Sequence, residues 1–526
     1  MTAPAQPRSD PQGADKAGTV IGALAHFAAH APQRPAYIDH QATLSYADLY
    51  TSARRGAAWL MQQGVRPGDT VALPLDPSPP NARRALEFVY AIAHAGAVLL
   101  PLFPEVPLAA RIELIGRFGA HWLLASGALP PTVSTRALDP RGFDPADNRL
   151  DAPAPARADR ADGAFAYLFT SGTTGAAKVL LSTHAQLHDS ARASARFLGI
   201  EADDRLLAPI PWPSTVSIRY LALAHAAGAA FVSAPLGDTR ARLRDLLARF
   251  AVTRISASPW QVRRLLLSPA AGQPLPPLRS LRVIGAFISG EEIEAARANL
   301  TPNTYVGYGF NEIGVVTLLR PGQAGPAGFV GGLMPGVEAR ADGALGRPLP
   351  PEHVGDLGFR SPWMCTGYAD NPAATRERFR DGWFYPGDAG SIDAAGNVTL
   401  RGRTQEVINY GGLKIWPEDI ESVLKLHPDV LDAAVVGLPD PLAGEVPAAF
   451  LVPRVPLGGP LPEQLSQAAL QSFCSARIDA SRVPQVFVAV HEIPRNEAGK
   501  ILRDALIAAY LRAGEAAGGA SGSGST

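Results

Sequence analysis

The sequence predicts an α/β protein of more than one domain, because of its length, its composition and its alternation of two apolar patterns. The chain has 526 residues, of which 47% are hydrophobic, and this is enough for more than one core. Short apolar runs such as Val283–Phe287 and Ala433–Gly437 predict strands, whereas the segments Thr239–Phe250 and Glu418–Leu426 predict helices. Since the two patterns alternate without a repeat of fixed period, we expect layers of sheet and helix.

The charge and the cysteines exclude several classes of protein. Basic and acidic residues number 48 each, so no excess of positive charge favours a nucleic-acid partner. Cys365 and Cys474 form neither a CxxC motif nor a Cys/His ligand spacing, so we expect two buried thiols in a reducing compartment. The start of the chain lacks a secretory signal, and the apolar stretch around Ala91–Phe103 is too short to span a bilayer. We therefore expect a cytoplasmic protein without a membrane span.

The most informative segment is a loop of small residues that follows the predicted strand Ala164–Phe169. Small residues let backbone N–H groups turn inward, hydroxyls add donors, and a lysine adds positive charge, which together suit the β- and γ-phosphates of a nucleotide. The loop differs from a Walker A motif, because two alanines separate its last glycine from the lysine. A polar hairpin turn without a ligand is the alternative for the loop alone. The residues concerned are Thr170, Ser171, Gly172, Thr173, Thr174, Gly175 and Lys178.

This loop resembles the signature loop of the acyl-adenylate-forming superfamily, which includes acyl-CoA synthetases, adenylation domains of nonribosomal peptide synthetases and firefly-type luciferases. The resemblance covers roughly residues 20–510 and implies a large amino-terminal domain of layered sheets and helices with a small, mobile α+β carboxy-terminal domain. We expect a disordered start at 1–18, the large domain at 19–402, the small domain at 403–513 and a flexible Gly/Ser tail at 514–526. Four further segments in the family's order carry it: Tyr305–Gly314, Trp383–Asp388, Gly402–Glu421 and Ile493–Arg503.

The first two of these segments imply contacts with ATP. Tyr308 would stack on adenine, and Glu312 would hold Mg²⁺ against the phosphates together with Thr174 of the loop. Asn311 stands where the family usually has Thr and would donate a hydrogen bond to the α-phosphate. The carboxylate of Asp388 would accept hydrogen bonds from both ribose hydroxyls. Pro386 replaces the family's usual Thr beside it, so one hydroxyl contact is absent.

The last two segments imply the moving parts of the enzyme. Arg403 would contact the ribose or the α-phosphate, and Gln405 falls at the family's hinge position, usually Asp or Lys. Gly411 and Gly412 would leave room for the thin pantetheine chain of the thiol substrate. Lys500 would offset the repulsion between carboxylate and α-phosphate and stabilise the charge of the transition state. Asn496 replaces Thr within its loop.

The acid itself is predicted from the segment Pro209–Ser217. Peptide-synthetase domains that take α-amino acids usually place an Asp in this segment, whereas Pro213 falls near that position and carries no charge. Because an unpaired buried ammonium is costly, we expect an acid without an α-amino group: fatty, branched or aryl. The residues predicted to lie around the acyl group are Trp212, Pro213, Phe287, Ile288, Gly309 and Gly314.

The implied reaction joins a carboxylic acid to ATP as an acyl-adenylate, releases pyrophosphate, and transfers the acyl group to a thiol. Coenzyme A is the expected acceptor, and the phosphopantetheine of a separate acyl-carrier protein is the main alternative. Two other readings remain open at this point: a nucleotide-binding protein that has lost turnover, and luciferase-like oxygenation. Retained Lys178, Glu312, Asp388 and Lys500 argue against loss of turnover.

Overall fold

The computed structural model describes most of the chain in thirteen stretches. Several residues named above lie outside the described residues: 1–17, Thr170 to Gly175, Pro213, Asn496, Lys500 and the last six residues of the tail. The stretches are 18–76, 81–103, 106–125, 135–150, 161–169, 178–208, 210, 212, 214–268, 274–343, 346–455, 462–495 and 501–520.

Within the described residues, the largest sheet has fifteen strands, and β16 (Glu338–Asp342) pairs with β17 outside the main path. Six neighbouring strands, from β1 to β13 in the order given below, are parallel. The strands on both sides of this group pair antiparallel. The strands in spatial order are β18 (Phe379–Arg380), β19 (Trp383–Phe384), β17 (Gly355–Arg360), β20 (Asp388–Ile392), β21 (Asn397–Arg403), β15 (Phe329–Leu333), β14 (Gly314–Leu319), β13 (Thr304–Phe310), β12 (Ser280–Ile284), β11 (Arg254–Ala257), β9 (Arg205–Leu207), β10 (Ala230–Val232), β1 (Pro35–Ile38) and β2 (Thr43–Ser45).

Two smaller sheets complete the described strands. The six-stranded sheet has the order β6 (Arg136–Leu138), β5 (Trp122–Leu124), β3 (Thr70–Pro74), β4 (Val98–Leu102), β7 (Ala164–Phe169) and β8 (Val179–Thr183). The five-stranded sheet has the order β23 (Leu413–Ile415), β22 (Ile408–Tyr410), β25 (Gly444–Pro453) and β24 (Val430–Asp440), with β26 (Val486–Ala489) beside β25.

Helices cover the sheets, and the predicted alternation of helix and strand is confirmed. The helices are α1 (Val20–His30), α2 (Tyr46–Gln62), α3 (Asn81–His94), α4 (Leu108–Arg117), α5 (His184–Phe197), α6 (Thr215–Ala226), α7 (Arg240–Phe250), α8 (Pro259–Leu267), α9 (Gly290–Asn299), α10 (Pro372–Arg378), α11 (Pro417–Leu424), α12 (Gln467–Ser475) and α13 (Arg503–Ala520).

Local chemistry explains where the predicted elements begin and end. Thr239 is the N-cap of α7, because its side chain accepts a hydrogen bond from the backbone N–H of Arg242. The strand predicted at Val283–Phe287 is wrong by three residues: β12 ends at Ile284, and Gly285, with a φ of +99°, turns the chain away. The strand predicted at Ala433–Gly437 lies within β24 and is confirmed.

The five-stranded sheet has an apolar core of its own, formed with α11 and α12 and separate from the cores of the other sheets. Cys474 lies in this core and Cys365 lies in the largest one, and both are free, as expected of buried thiols. Of the helices in the described part of the chain, none combines the length and the apolar character that crossing a bilayer requires.

A buried histidine gives the first testable prediction, which concerns stability. His225 lies on α6 with Nδ1 2.5 Å from the hydroxyl of Tyr90 and Nε2 3.0 Å from the carbonyl oxygen of Ala36. Burial lowers the pKa of His225 to about 4, from its ordinary 6.5. Between these values the unfolded chain binds a proton that the folded protein does not, so the free energy of unfolding falls as the pH falls. Each pH unit costs about 1.4 kcal/mol, or about 3 kcal/mol in total for this one residue.

Urea unfolding at several pH values between 7 and 4 measures this slope. His225→Gln should lose the part of the slope that this histidine contributes, whereas His353→Gln, which changes an exposed histidine, should retain it. An unchanged slope in His225→Gln would show that the ring is not the group that takes up the proton.

Candidate active site

A cavity of about 320 Å³ lies between α5 and α6 on one side and the β13–β14 hairpin on the other. Lys178, Glu312, Arg403 and Gln405 all line it, although they come from separate segments of the sequence. These four described residues of the predicted site therefore line one cavity.

The two ends of the phosphate loop are fixed at this cavity. Phe169 and Val179 pair across β7 and β8, so the residues between them leave and re-enter the sheet at one point. The carbonyl oxygen of Phe169 accepts a hydrogen bond from Nδ2 of Asn311 at 3.2 Å. The carbonyl oxygen of Val179 accepts one from the backbone N–H of Ala369 at 2.7 Å. Asn311 thus fixes the start of the loop to the β13–β14 hairpin, a structural role in addition to the predicted α-phosphate contact.

Glu312 carries the buried carboxylate of the site. Its side-chain oxygen Oε1 accepts a hydrogen bond from the hydroxyl of Tyr368 at 2.7 Å, and its residue is 8% exposed. Nζ of Lys178 lies 5.1 Å from the centre of the Tyr368 ring. Burial and the neighbouring negative charge of Glu312 raise the pKa of Tyr368, which keeps its hydroxyl protonated as a donor. A carboxylate that accepts one such bond retains lone pairs for a cation, so the residue fits the predicted Mg²⁺ ligand.

Asp388 is held by two partners next to the cavity. Its Oδ2 accepts a hydrogen bond from the hydroxyl of Tyr308 at 2.6 Å, and its Oδ1 lies 3.0 Å from Nε of Arg403. β20 and β21 place Asp388 opposite Arg403 in register, and Nη1 of Arg403 also donates to the carbonyl oxygen of Pro386 at 2.8 Å. Burial, followed by the charge of Asp388, raises the pKa of Tyr308 well above its ordinary value. The carboxylate is therefore oriented by two donors and still able to accept bonds from ribose hydroxyls.

Two glycines shape the hairpin that carries Asn311 and Glu312. A Cβ on Gly309 would lie 2.3 Å from the carbonyl oxygen of Gly314, across the register shift between β13 and β14. Gly314 has a φ of +84°, and a Cβ there would lie 2.5 Å from Oγ of Ser190 on α5. Both glycines line the cavity, and their place beside the substrate stays a prediction.

Three residues predicted for the acyl pocket are not in this cavity, so that prediction requires correction. Trp212 is buried in the core, where its Nε1 donates to the carbonyl oxygen of Ala82 at 2.7 Å. Ile288 packs in the core of α7, α8 and α9, and Phe287 is 36% exposed just beyond Gly285. β12 ends at Ile284, three residues earlier than predicted, and this explains the positions of Phe287 and Ile288. Because they follow the turn at Gly285, they do not continue the strand toward the site.

The predicted hinge and thiol-channel residues lie at two different places. Gln405 lines the cavity, whereas Gly411 and Gly412 form the turn between β22 and β23 and are absent from the described lining. Their φ values of +56° and +91° explain why glycine occupies both positions.

Arg503 joins three acidic residues of the small lobe, next to the predicted hinge. Its guanidinium forms ion pairs with Glu406 at 2.5 Å, Glu418 at 3.3 Å and Glu421 at 2.5 Å. Burial raises the pKa of Glu418 above its usual range, an effect that the charge of Arg503 opposes. Arg495 and Ile501, the described residues on either side of the segment that contains Lys500, form an isolated β-bridge.

Sequence reasoning missed several residues that line the cavity. Arg219 and Tyr220 lie on α6, Arg282 lies on β12, and Tyr368 and Arg378 lie after the hairpin. The sequence did hold a signal for Arg219 and Arg282, because each is a single charged residue inside an otherwise apolar helix or strand. A charge in such a position is seldom buried without a partner or a function.

Comparison with known proteins agrees with this geometry. The chain matches the AMP-binding enzyme family over residues 24–369, and the AMP-binding enzyme C-terminal domain over residues 419–500. It is 28% identical over 506 residues to a fatty acid–[acyl-carrier-protein] ligase, ScoC, from Streptomyces coeruleorubidus, covering 92% of this chain and 95% of that protein.

Two solved structures have the same fold. ATP-bound MatB from Rhodopseudomonas palustris superposes with a TM-score of 0.81 at 26% identity, over 94% of this chain and 99% of that one. The O-succinylbenzoate coenzyme A synthetase MenE from Bacillus subtilis, in complex with ATP and magnesium ion, gives a TM-score of 0.76 at 25% identity, over 92% and 98%. With the family match over more than half of its length, the chain belongs to the AMP-binding enzymes.

Proposed function

We propose that this protein is an AMP-forming acid–thiol ligase, which activates a carboxylic acid with ATP and transfers the acyl group to a thiol. The observation that carries the proposal is the convergence of Lys178, Glu312 and Arg403 on one cavity, with Asp388 held beside it by Arg403 and Tyr308. Together these residues offer binding groups for both the phosphates and the ribose of a nucleotide.

The first half-reaction forms the acyl-adenylate. A carboxylate oxygen of the acid attacks the α-phosphorus of ATP, the bond to the β-phosphate oxygen breaks, and pyrophosphate leaves. Asp388 fixes the ribose, Lys178 and the loop receive the leaving phosphates, and Lys500 offsets the repulsion between the two anions. Catalysis thus consists of positioning and charge stabilisation.

Mg²⁺ fits Glu312, because its carboxylate is buried, is oriented by the hydroxyl of Tyr368 and faces the cavity. When bound, the ion would neutralise negative charge on the phosphates of ATP.

The second half-reaction transfers the acyl group. A thiol sulfur attacks the acyl carbonyl carbon, AMP leaves with the bonding electron pair, and the thiol proton is released to solvent. We place the hinge at Gln405 and the thiol beside Gly411 and Gly412. Coenzyme A is our proposed thiol, since the MenE enzyme of the comparison is a coenzyme A synthetase. A carrier protein is the alternative, since ScoC is an acyl-carrier-protein ligase.

The acid in this proposal has no α-amino group and is fatty, branched or aryl. Among the described lining residues, Glu312 is the one carboxylate, and it is the proposed ligand of Mg²⁺. An ammonium group beside the acyl carbonyl would therefore be buried without a partner in the described part of the pocket, at a considerable cost.

Pyrophosphate release across a panel of carboxylic acids, with and without coenzyme A, tests this function. We expect release that depends on a non-amino acid, and thioester only when a thiol is present. Nucleotide binding without pyrophosphate release for any acid would instead favour a member that has lost turnover. Release with alanine or leucine above that with simple acids would overturn the proposed substrate class.

Asp388→Asn provides a sharper test of the nucleotide site. Loss of the charge removes the ion pair with Arg403 and weakens the bonds to the ribose, so we expect the KM for ATP to rise about 10- to 100-fold. Steady-state kinetics at saturating acid measures the rise. Asp356→Asn, which changes an acid on β17 paired with the exposed Arg380, is the matched control and should leave this KM within about twofold.

We further propose that the small lobe begins at residue 403 and that the reaction takes place in the cytoplasm. The separate core of the five-stranded sheet supports the first proposal. Two free, buried cysteines favour the reducing compartment.

A further inference from the structure

We propose that the acid substrate carries a second anionic group, a carboxylate or a sulfonate, that is bound by Arg219 and Arg282 on the acyl side of the cavity. This inference rests on the proposed function, because it names the class of acid that the same site activates.

Arg282 is a buried cation in the wall of the cavity. It lies in the middle of β12, in register with Ser256 of β11, and is 6% exposed. Its guanidinium carbon lies 4.9 Å from the centre of the Tyr220 ring, and its Nε has no hydrogen-bond partner within the described residues. No described carboxylate forms an ion pair with it. A charge in this state requires compensation from something that enters the cavity.

Arg219 adds a second cation from the facing helix. One of its terminal nitrogens donates to the carbonyl oxygen of Asn311, while its buried Nε is likewise without a partner in the described part of the chain. Burial lowers its pKa, with Cys365 and Glu312 as the nearest opposing influences. No hydrogen bond or ion pair joins Arg219 to the carboxylate of Glu312 among the described residues, and that carboxylate is the proposed ligand of Mg²⁺.

The charge balance of the whole cavity leads to the same conclusion. Five described cations line it against the single carboxylate of Glu312: Lys178, Arg219, Arg282, Arg378 and Arg403. Lys178 and Arg403 lie at the phosphate loop and at Asp388, where ATP supplies negative charge. Arg378 ends α10, next to Gly387 and Asp388. Of the two remaining cations, Arg219 on α6 also bonds the backbone of Asn311 beside the nucleotide contacts, whereas Arg282 on β12 contacts none of the predicted nucleotide residues in the described part of the chain. The acid must therefore supply the counter-charge of Arg282, and the unpartnered Nε of Arg219 lines the same cavity.

Two serines add hydrogen-bonding groups to this side. Ser190 and Ser194 lie one turn apart on α5, and both line the cavity. A purely apolar acyl chain would displace water from these hydroxyls and from both guanidinium groups without replacing its hydrogen bonds. A second anion would instead accept charge-assisted hydrogen bonds from the arginines.

Matched acids test the proposal on the wild-type enzyme. For each of several chain lengths, pyrophosphate release is measured with the monocarboxylate, the α,ω-dicarboxylate, its monoamide and the corresponding ω-sulfonate. At the best chain length we expect kcat/KM for the doubly charged acids to exceed that for the monocarboxylate and the monoamide at least about 10-fold. The monoamide separates recognition of charge from recognition of a neutral hydrogen-bonding group.

Substitutions test whether the arginines cause the preference for doubly charged acids. Arg282→Gln should raise the KM for the doubly charged acid about 10- to 100-fold while changing the KM for ATP less than about twofold. Arg282→Lys should recover part of the loss, because it restores the charge but not the fork of donors. Arg242→Gln, on the exposed side of α7, is the matched control and should change neither constant. Thermal melting checks that each variant is folded, and the wild-type panel decides the question if Arg282→Gln is not.

The outcomes separate this inference from the proposed function. Pyrophosphate release with monocarboxylates or monoamides that equals or exceeds release with the doubly charged acids would overturn the second anion and leave the ligase function intact. Release with no acid of any kind would overturn both. A preference for doubly charged acids that survives in folded Arg282→Gln and Arg219→Gln would show that the two arginines are not the binding groups.

Discussion

Replacing Lys500 with alanine is expected to slow acyl-adenylate formation at least about 100-fold, and to leave acyl transfer from preformed adenylate within about threefold. The lysine charge is needed only where the carboxylate meets the α-phosphate, because the second half-reaction breaks the bond to AMP with a neutral thiol or thiolate as nucleophile. Exchange of labelled pyrophosphate into ATP measures the first half-reaction. Thioester formation from synthetic acyl-adenylate measures the second.

The structure suggests a matched control in the same lobe. Arg477, an exposed cation just after α12, has no proposed role, so Arg477→Ala should preserve both half-reactions. Folding of Lys500→Ala should be normal, since the Arg495–Ile501 bridge and the ion pairs of Arg503 on either side remain. An equal loss of both half-reactions in the folded variant would contradict the use of two positions of the small lobe.

Glu312→Gln should lower kcat for pyrophosphate release by about 100- to 1,000-fold and raise the Mg²⁺ concentration needed for half-maximal rate. The amide keeps the size of the side chain, and its oxygen can still accept the bond from the hydroxyl of Tyr368. What it loses is the negative charge that would hold the cation. Rates measured over a series of magnesium concentrations separate weaker cation binding from a slower chemical step.

Glu291→Gln is the corresponding control, because it makes the same change at an exposed position in the first turn of α9. Its magnesium dependence should equal that of the wild type. If Glu312→Gln also retained the wild-type dependence, the carboxylate would not be a metal ligand, and its role would be limited to fixing Tyr368.

Much of the fold follows from sequence because the patterns are local. Thr239 ahead of an amphipathic segment fixes the start of α7, and the apolar run at Ala433–Gly437 marks the middle of β24. The end of β12 was wrong because Phe287 and Ile288 are as apolar as the strand itself. Only the backbone at Gly285, with its positive φ, shows that the strand has already ended.

Site residues could be predicted from the sequence where the functional residues of a motif are adjacent in the chain. Asn311 and Glu312 are consecutive, and the tight β13–β14 hairpin brings them to the cavity together. The acyl side was not predictable in this way, because Arg219 and Arg282 are far apart in the chain and line the same cavity only in the folded protein. Each is a single charged residue in an apolar segment, and nothing in the sequence indicates that the two line the same cavity.

The ion pairs of Arg503 have a mechanical consequence. One guanidinium fastens Glu406, the residue after the proposed pivot, to α11 and to the chain that leaves the Lys500 loop. At the proposed hinge, a rotation about Gln405 would therefore be transmitted through these ion pairs to α11 and to Arg503. On that proposal, the displacement of Lys500 would be set by the rotation at one backbone position and by the distance of the lysine from it, rather than by many independent local changes.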